Sequence, residues 1–241
     1  MKRFWKDVAV TPGDGFGIAL DGKPVRTPGR ARLAVPNATL AEAIADEWRL
    51  MTGDVDPRAM PLTGLANAAI DRVAPDASAF AAGLAIYGES DLICYRAELP
   101  EPLVERQRMA WDPLLDWARA RYDVHFETAT GVMHRPQPGA TLSRLHDAVA
   151  ARDAFELAAL SPIVTVSGSL VLALALLEGA ADSDAIWSAA RIDDDWQAEM
   201  WGRDDLAEQA TAAHRADFDA GARFLAHLRT PARTDESPYS A

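Results

Sequence analysis

Residues 8–26 read VAVTPGDGFGIALDGKPVR, and they set the architecture of the first third of the chain. Two apolar runs, Val8–Val10 and Phe16–Leu20, flank the turn formers of residues 13–15, which predicts a β-hairpin. Asp21-Gly22 follows at once, and Asp-Gly is a favoured dipeptide for a two-residue turn between antiparallel strands. We therefore expect a third strand after this turn and a short β-meander.

Helical signals follow the meander. Another alternating run, residues 30–35, precedes Asn37 and Thr39, either of which can cap a helix that begins there. A second helix is predicted over residues 62–73, where apolar side chains recur on one face. Together these elements predict a small N-terminal β-meander/α domain over residues 1–75.

From about residue 75 onward, strand signals nearly vanish and apolar residues recur at helical spacing. We therefore predict a C-terminal α-helical bundle domain of the orthogonal type over residues 76–229 and a flexible tail over residues 230–241. The fold class is α+β. Within the bundle, Asp112-Pro113 places a capping residue before a proline, which predicts a kink or a restart of the helix.

The charge balance argues against two classes of partner. The chain has 24 Lys+Arg against 36 Asp+Glu, a net charge of -12. Contacts to phosphates require a basic face, so we expect no nucleic-acid partner. An anionic membrane surface also attracts basic segments, so we expect no binding there either.

The sequence fits a cytoplasmic, bacterial protein. Cys94 is the only cysteine, which rules out an internal disulfide and fits a reducing compartment. The N-terminus has no apolar core of a secretory signal and is too acidic for a transit peptide. Residues 160–177 are the nearest thing to a membrane span, but only residues 170–177 are continuously apolar, far short of the roughly 20 residues that a bilayer requires. We therefore expect a buried helix there and no membrane insertion.

Motifs of enzymes and cofactor sites are missing. Residues 13–17 are rich in glycine but lie in the predicted hairpin, where a plain turn is expected rather than a phosphate cradle. The five histidines lack the spacing of metal ligands. Asp193-Asp194-Asp195 point to different sides of a helix and favour a solvated acidic face over a cation site. We therefore expect no catalytic residue, no cofactor and no metal.

Cys94 and the tryptophans are best explained by packing. Cys94 lies between apolar neighbours, which favours a buried small residue over a reactive thiol. The chain has seven tryptophans, and for most of them we expect a place in the core. Indole side chains are also enriched at protein interfaces, so some of them can serve a partner.

A series of short motifs in a fixed order resembles a known family over almost the whole chain. They are Arg3-Phe4-Trp5-Lys6, Leu20-Asp21-Gly22-Lys23-Pro24 with Thr27-Pro28, Glu47-Trp48, Met60-Pro61-Leu62-Thr63 with Asp71, Asp91-Leu92 with Cys94-Tyr95-Arg96, Gln107 with Trp111-Asp112-Pro113-Leu114, and Gln197 with Trp201-Gly202. Through them the chain resembles the assembly chaperones that bind the alpha subunit of the F(1) sector of ATP synthase in mitochondria and in some bacteria.

The resemblance implies both a fold and an activity. The implied fold is an N-terminal α+β domain followed by a helical domain. The implied activity is that of an ATP-independent chaperone, not an enzyme, which binds the free alpha subunit and prevents its aggregation until the beta subunit docks. Eukaryotic relatives would act in the mitochondrial matrix. We expect the present chain to be a monomer.

The resemblance also implies a site. The family's Trp-Gly-x-x-acid segment contains an acid with a role in activity, and the matching residue is Asp205, where the family usually has Glu. Asp204 or Glu208 could take over that role. The predicted partner surface combines these acids with large apolar side chains just before them: Trp196, Met200 and Trp201. Trp48 is interpreted as a packing anchor instead.

Two alternatives stay open. The first is a small-molecule hydrolase or transferase that works through Cys94 or through a carboxylate pair such as Asp112 and Asp116; it requires a polar pocket with a histidine within hydrogen-bond reach. The second is a structural subunit with a stoichiometric place in the finished ATP synthase.

Overall fold

The computed structural model describes residues 2–131, 134–202 and 204–230. Its N-terminal part contains an antiparallel sheet. The strands are β1 Val8–Gly13, β2 Gly15–Leu20, β3 Lys23–Pro24 and β4 Ala34–Val35. β2 is the central strand, because it pairs with β1 along its whole length and with β3 and β4 along its other edge.

Local turn chemistry produces this sheet. Asp21 and Gly22 have positive φ angles of 47° and 75°, the geometry that a tight two-residue turn between antiparallel strands requires. The Asp21 carboxylate also accepts hydrogen bonds from the backbone amides of Lys6 and Asp7, at 3.0 and 2.8 Å. The predicted hairpins are confirmed.

Two helices complete the N-terminal part. They are α1 Ala38–Leu50 and α2 Pro61–Ala68, and α2 continues as a π-helical turn, Ala69–Val73. Asn37 caps α1, since its side chain accepts a hydrogen bond from the amide of Leu40 at 2.8 Å. α1 packs its buried residues, among them Ile44, against β1 and β2, where Ile18 is also buried. The predicted α+β arrangement is confirmed.

The rest of the described chain is mainly helical. Its elements are α3 Ala77–Ala85, β5 Tyr95–Arg96, α4 Glu101–Tyr122, β6 Ala129–Thr130, α5 Gly139–Ala150, α6 Ala154–Ser167, α7 Leu170–Glu178, α8 Ser183–Ala190, α9 Ile192–Trp201 and α10 Asp205–Arg229. β5 and β6 pair in parallel, with Tyr95 opposite Ala129. The sequence did not predict this short ladder.

α7 lies at the centre of the helical part, and every residue from Leu170 to Leu177 is buried. Two side chains cap its first turn: Ser169 accepts a hydrogen bond from the amide of Leu172, and Asp91 accepts one from the amide of Val171 at 2.9 Å. In the described part of the chain, no helix has both the length and the apolar character that crossing a membrane requires. The predicted buried helix is confirmed for residues 170–177, whereas residues 160–167 belong to a separate helix, α6.

α4 runs without a break through Pro113. Of the two outcomes predicted for this proline, the restart is wrong and the kink stays a prediction. Trp111 and Leu115 are buried on either side of it, and the Trp111 indole donates a hydrogen bond to the carbonyl of Ala189 at 2.8 Å. Packing therefore holds the helix together where the proline lacks its backbone donor.

α10 is half packed and half exposed. Its second half, from Phe218 onward, packs on α6 and also contacts α1 and α2. In its first half, residues 205–217, only Thr211 and Arg215 are partly buried. A boundary near residue 75 stays a prediction. The predicted tail, residues 230–241, lies outside the described residues apart from Thr230.

Candidate functional site

The end of α9 and the first turn of α10 form a corner, residues 196–202 and 204–208, which we call the α9–α10 corner. Gly202 ends α9 with a φ of 80°, a conformation that glycine adopts without strain. Asp204 then starts α10, because its carboxylate accepts a hydrogen bond from the amide of Ala207 at 2.7 Å. These two residues explain why the chain turns here.

Large apolar side chains face solvent at this corner. Trp201 is 79% exposed and Leu206 is 77% exposed, and Met200 is exposed beside them. A single exposed leucine is ordinary on a protein surface. Three large apolar side chains within seven residues of sequence form a patch of the kind that marks protein interaction sites.

Carboxylates border the apolar patch. Asp205 and Glu208 lie in the first turn of α10, both are exposed, and neither forms an ion pair with another described residue. Their charge is favourable there because the N-terminal end of a helix carries partial positive charge. Asp204 differs from them, since its carboxylate is already bonded to its own helix. Asp205 and Glu208 are therefore the acids of the predicted set that remain free for a partner.

Trp196 lies at the base of the corner rather than on its surface. It is half-buried, and the guanidinium of Arg106 lies 4.9 Å from its ring centroid, a cation–π contact. Arg106 also pairs with Glu199 at 2.8 Å. These contacts fix α9 against α4.

Asp193 departs from the predicted solvated acidic face. It is half-buried and accepts a hydrogen bond from the Gln107 side-chain amide at 2.6 Å. Burial raises the pKa of the Asp193 carboxyl above its ordinary value. The prediction is wrong for this residue, because its partner lies 86 positions away in the sequence.

Two clefts flank Trp201. One of about 420 Å³ lies between α9 and the start of α10. The other, of about 410 Å³, lies between α9 and the loop that precedes α4, and we call it the Leu99 cleft. Its apolar lining includes Leu99, Leu103 and Trp196. Leu99 and Leu206 could not be predicted from the sequence, because the exposure of a leucine is a property of the fold and leaves no local signal.

Other residues of the motifs are used inside the fold. Buried Glu47 accepts three hydrogen bonds, from the amide of Leu62 at 2.7 Å and from the amide and hydroxyl of Thr63 at 2.8 and 2.7 Å. The Trp5 indole donates a hydrogen bond to the carbonyl of Trp48, and the two rings meet edge to face at 5.2 Å. Trp48 is buried, so its predicted role as a packing anchor is confirmed.

The side chains named for the enzyme alternative are either buried or paired with an arginine. Cys94 is buried, as predicted, and burial raises the pKa of its thiol to about 12, so it is not a thiolate nucleophile near neutral pH. Asp112 pairs with Arg96 at 2.8 Å and Asp116 pairs with Arg119 at 2.7 Å. Among the described residues, no three His, Cys, Asp or Glu side chains gather where they could hold a metal ion.

Comparison with known proteins gives a consistent result. A family model described as ATP12 chaperone protein matches residues 2–119. The crystal structure of Atp12 from Paracoccus denitrificans is similar with a TM-score of 0.90 and 43% identity, over 95% of this chain and 98% of that chain. The Atu1473 protein from Agrobacterium tumefaciens has a TM-score of 0.89 and 40% identity, over 95% and 86% of the two chains. The mitochondrial protein atp12 of Schizosaccharomyces pombe is 25% identical over 214 residues, which cover 83% of this chain and 74% of that protein.

Proposed function

The chain belongs to the ATP12 family of ATP synthase assembly chaperones, and on that premise we propose that it binds the free alpha subunit of F-type ATP synthase. In this proposal it prevents the subunit from aggregating until the beta subunit docks. It uses no nucleotide and performs no bond chemistry.

The exposed α9–α10 corner is the observation that carries this proposal. An unassembled subunit exposes apolar surface that its neighbour normally covers, and such surface drives aggregation. Trp201, Leu206 and Met200 offer an apolar patch that can cover part of it. Because the chaperone must later leave, its contact should be smaller or weaker than the contact between the two subunits. The beta subunit then displaces it by competition.

In this proposal, the acids at the corner orient the alpha subunit relative to the chaperone. Asp205 and Glu208 have no cationic partner among the described residues, so each can pair with a basic side chain at the rim of the alpha-subunit contact. Rim charges mainly steer association and fix the register of the partners. Asp205 is one methylene shorter than the usual Glu, and Glu208 lies in the same helical turn.

Nucleotide independence is supported by the place of the glycine-rich run. Residues 13–17 comprise the end of β1, the turn residue Asp14 and the start of β2, so they lie within an antiparallel hairpin. Phosphate-binding loops instead connect a strand to a helix N-terminus, whose amides bind the anion. The hairpin offers no such helix end.

The test measures aggregation of free alpha subunit in the presence of the unmodified protein, of Asp205→Ala and of Asp217→Ala. Asp217 is the matched control, since it is an exposed acid on α10 that lies outside the corner. We expect Asp205→Ala to suppress aggregation less well than Asp217→Ala, which should match the unmodified protein. Added beta subunit should release the alpha subunit. Equal performance of the two variants would remove Asp205 from the site, and an unmodified protein that fails to bind alpha subunit would refute the proposed function.

A further inference from the structure

We propose that the Leu99 cleft receives one large apolar side chain of the alpha subunit, with Leu99 as a second anchor of the contact opposite Trp201. This inference rests on the proposed function and adds to it a specific place and a specific chemistry. It extends the contact from the α9–α10 corner to a loop about 100 residues earlier in the chain.

Two of the most exposed apolar side chains of the described chain meet at this cleft. Leu99 is 75% exposed and Trp201 is 79% exposed, and both line the same 410 Å³ cleft. Leu103 and Trp196 add more apolar lining, and both are at least half-buried. An aromatic and an aliphatic side chain at the mouth of an apolar cleft resemble the pockets that hold the central anchors of protein interfaces.

Most polar side chains of the cleft already have partners, whereas that of exposed Gln197 has none among the described residues. The Gln107 amide oxygen accepts a hydrogen bond from the amide of Ala97 at 2.8 Å, and its nitrogen donates to Asp193 at 2.6 Å. The guanidinium of Arg96 pairs with Asp112 and lies over the ring of Trp111. The cleft therefore offers mainly apolar contact area, which favours an apolar occupant over a polar or charged one.

The same contacts hold the two walls of the cleft together in the free protein. Gln107 is buried and ties the loop before α4 to the first turn of α9, so it joins the two walls of the cleft. The Arg106–Glu199 pair joins α4 to α9 a second time. A cleft that is formed before the partner arrives avoids the entropic cost of ordering its walls on binding.

The charges near the cleft predict which residues of the alpha subunit accompany the apolar side chain that enters it. Beyond Trp201 lie Asp205 and Glu208, two carboxylates without a cationic partner among the described residues. We therefore expect the apolar side chain to come from a stretch of alpha subunit that also carries Lys or Arg. Charge complementarity would then place the apolar group in the cleft and the cation over the first turn of α10.

Cysteine labelling tests the contact directly. The chain's single cysteine, Cys94, is buried and its thiol pKa is raised to about 12, so a maleimide should label a cysteine introduced on the surface selectively. The variants are Leu99→Cys and, as a matched control, Ile86→Cys, whose native side chain is 65% exposed and lies outside both clefts. Each is labelled alone and with saturating alpha subunit, and size-exclusion chromatography verifies the complex.

We expect alpha subunit to slow labelling of Leu99→Cys by more than about tenfold, as full burial in an interface core implies, and to leave Ile86→Cys unchanged. As a second measurement, Leu99→Glu should weaken binding by about tenfold or more while Ile86→Glu does not. Rapid labelling of Leu99→Cys within a verified complex would overturn the cleft proposal and leave the proposed function intact. If the unmodified protein forms no complex, the proposed function fails and the cleft proposal fails with it.

Discussion

We call β1–β4, α1 and α2 the N-terminal framework. This framework and the α9–α10 corner both carry motifs of the family resemblance, but the motif side chains are bonded inside the fold in the first and exposed to solvent in the second. In the framework, the carboxylate of Glu47 is buried and bonded to the start of α2. At the corner, Trp201 and Asp205 extend into solvent without a described hydrogen-bond or ion-pair partner for their side chains. A motif residue thus serves the fold when its atoms are satisfied inside the molecule, and it can serve a partner when they are not.

Truncating one tryptophan from each region should separate the two roles most strongly. Trp48→Ala removes a buried indole and should lower the free energy of unfolding by about 4 kcal/mol. Trp201→Ala should change it by less than about 0.5 kcal/mol, yet weaken binding of alpha subunit roughly thirtyfold, the effect of losing an interface anchor. Urea unfolding and a binding titration of each variant provide the measurement. Trp48→Phe is the conservative control, since the Trp48 indole nitrogen has no hydrogen-bond partner to lose.

Glu47 and Glu42 offer a similar contrast within α1. Glu47→Ala leaves buried amides of α2 without their acceptor and should cost about 3 kcal/mol of unfolding free energy. Glu42→Ala removes an exposed ion pair with Arg49 and should cost less than about 0.5 kcal/mol. Denaturant unfolding of both variants is the measurement, and equal losses would contradict a structural role for the Glu47 motif.

Asp91 extends the comparison to pH. Burial raises the pKa of this carboxyl from 3.8 to about 6, so the folded protein binds the proton more tightly than the unfolded chain. Its contribution to stability is therefore present below the unfolded pKa and is lost as pH rises through about 6. Between pH 7 and pH 5 the unmodified protein should gain about 1 kcal/mol from this group, and Asp91→Asn should not. Urea unfolding at pH 7 and pH 5 measures this difference. The same change in the free energy of unfolding for both proteins would refute the role of Asp91.

Gly64→Ala should change the stability only slightly, and it should stabilise the protein rather than destabilise it. Gly64 lies inside α2, and a Cβ added there would meet no atom within 4 Å. Gly64→Ala should therefore raise the free energy of unfolding by about 0.8 kcal/mol through helix propensity and leave binding of alpha subunit unchanged. Gly22→Ala has equal space but a φ of 75°, so it should lower stability instead. Thermal unfolding of both variants measures the difference, and a loss of stability in Gly64→Ala would contradict this account of α2.

Local chemistry explains which parts of the fold could be predicted. The Asp21-Gly22 turn and the Asn37 cap act through neighbours in sequence, and both were found from the sequence. The β5–β6 pair has only two residues in each strand and joins segments more than 30 residues apart, so no local pattern indicates it. The continuity of α4 through Pro113 depends on the burial of Trp111, which is a tertiary effect.

The candidate site was predicted in part for the same reason. The resemblance indicated Trp201 and Asp205, but the separate roles of Asp204 and Trp196 became visible only from their hydrogen bond and their ring contact. Leu99 gave no signal, because its proposed role depends on its exposure beside a segment about 100 residues away.

Hydrogen exchange of the amides, with and without free alpha subunit, tests the central claim most directly. We predict slower exchange at the start of α10 and in the last turn of α9 when the alpha subunit is bound. Exchange in β1, β2 and α1 should stay unchanged. Protection confined to the N-terminal framework, with the α9–α10 corner exchanging as freely as before, would contradict the account.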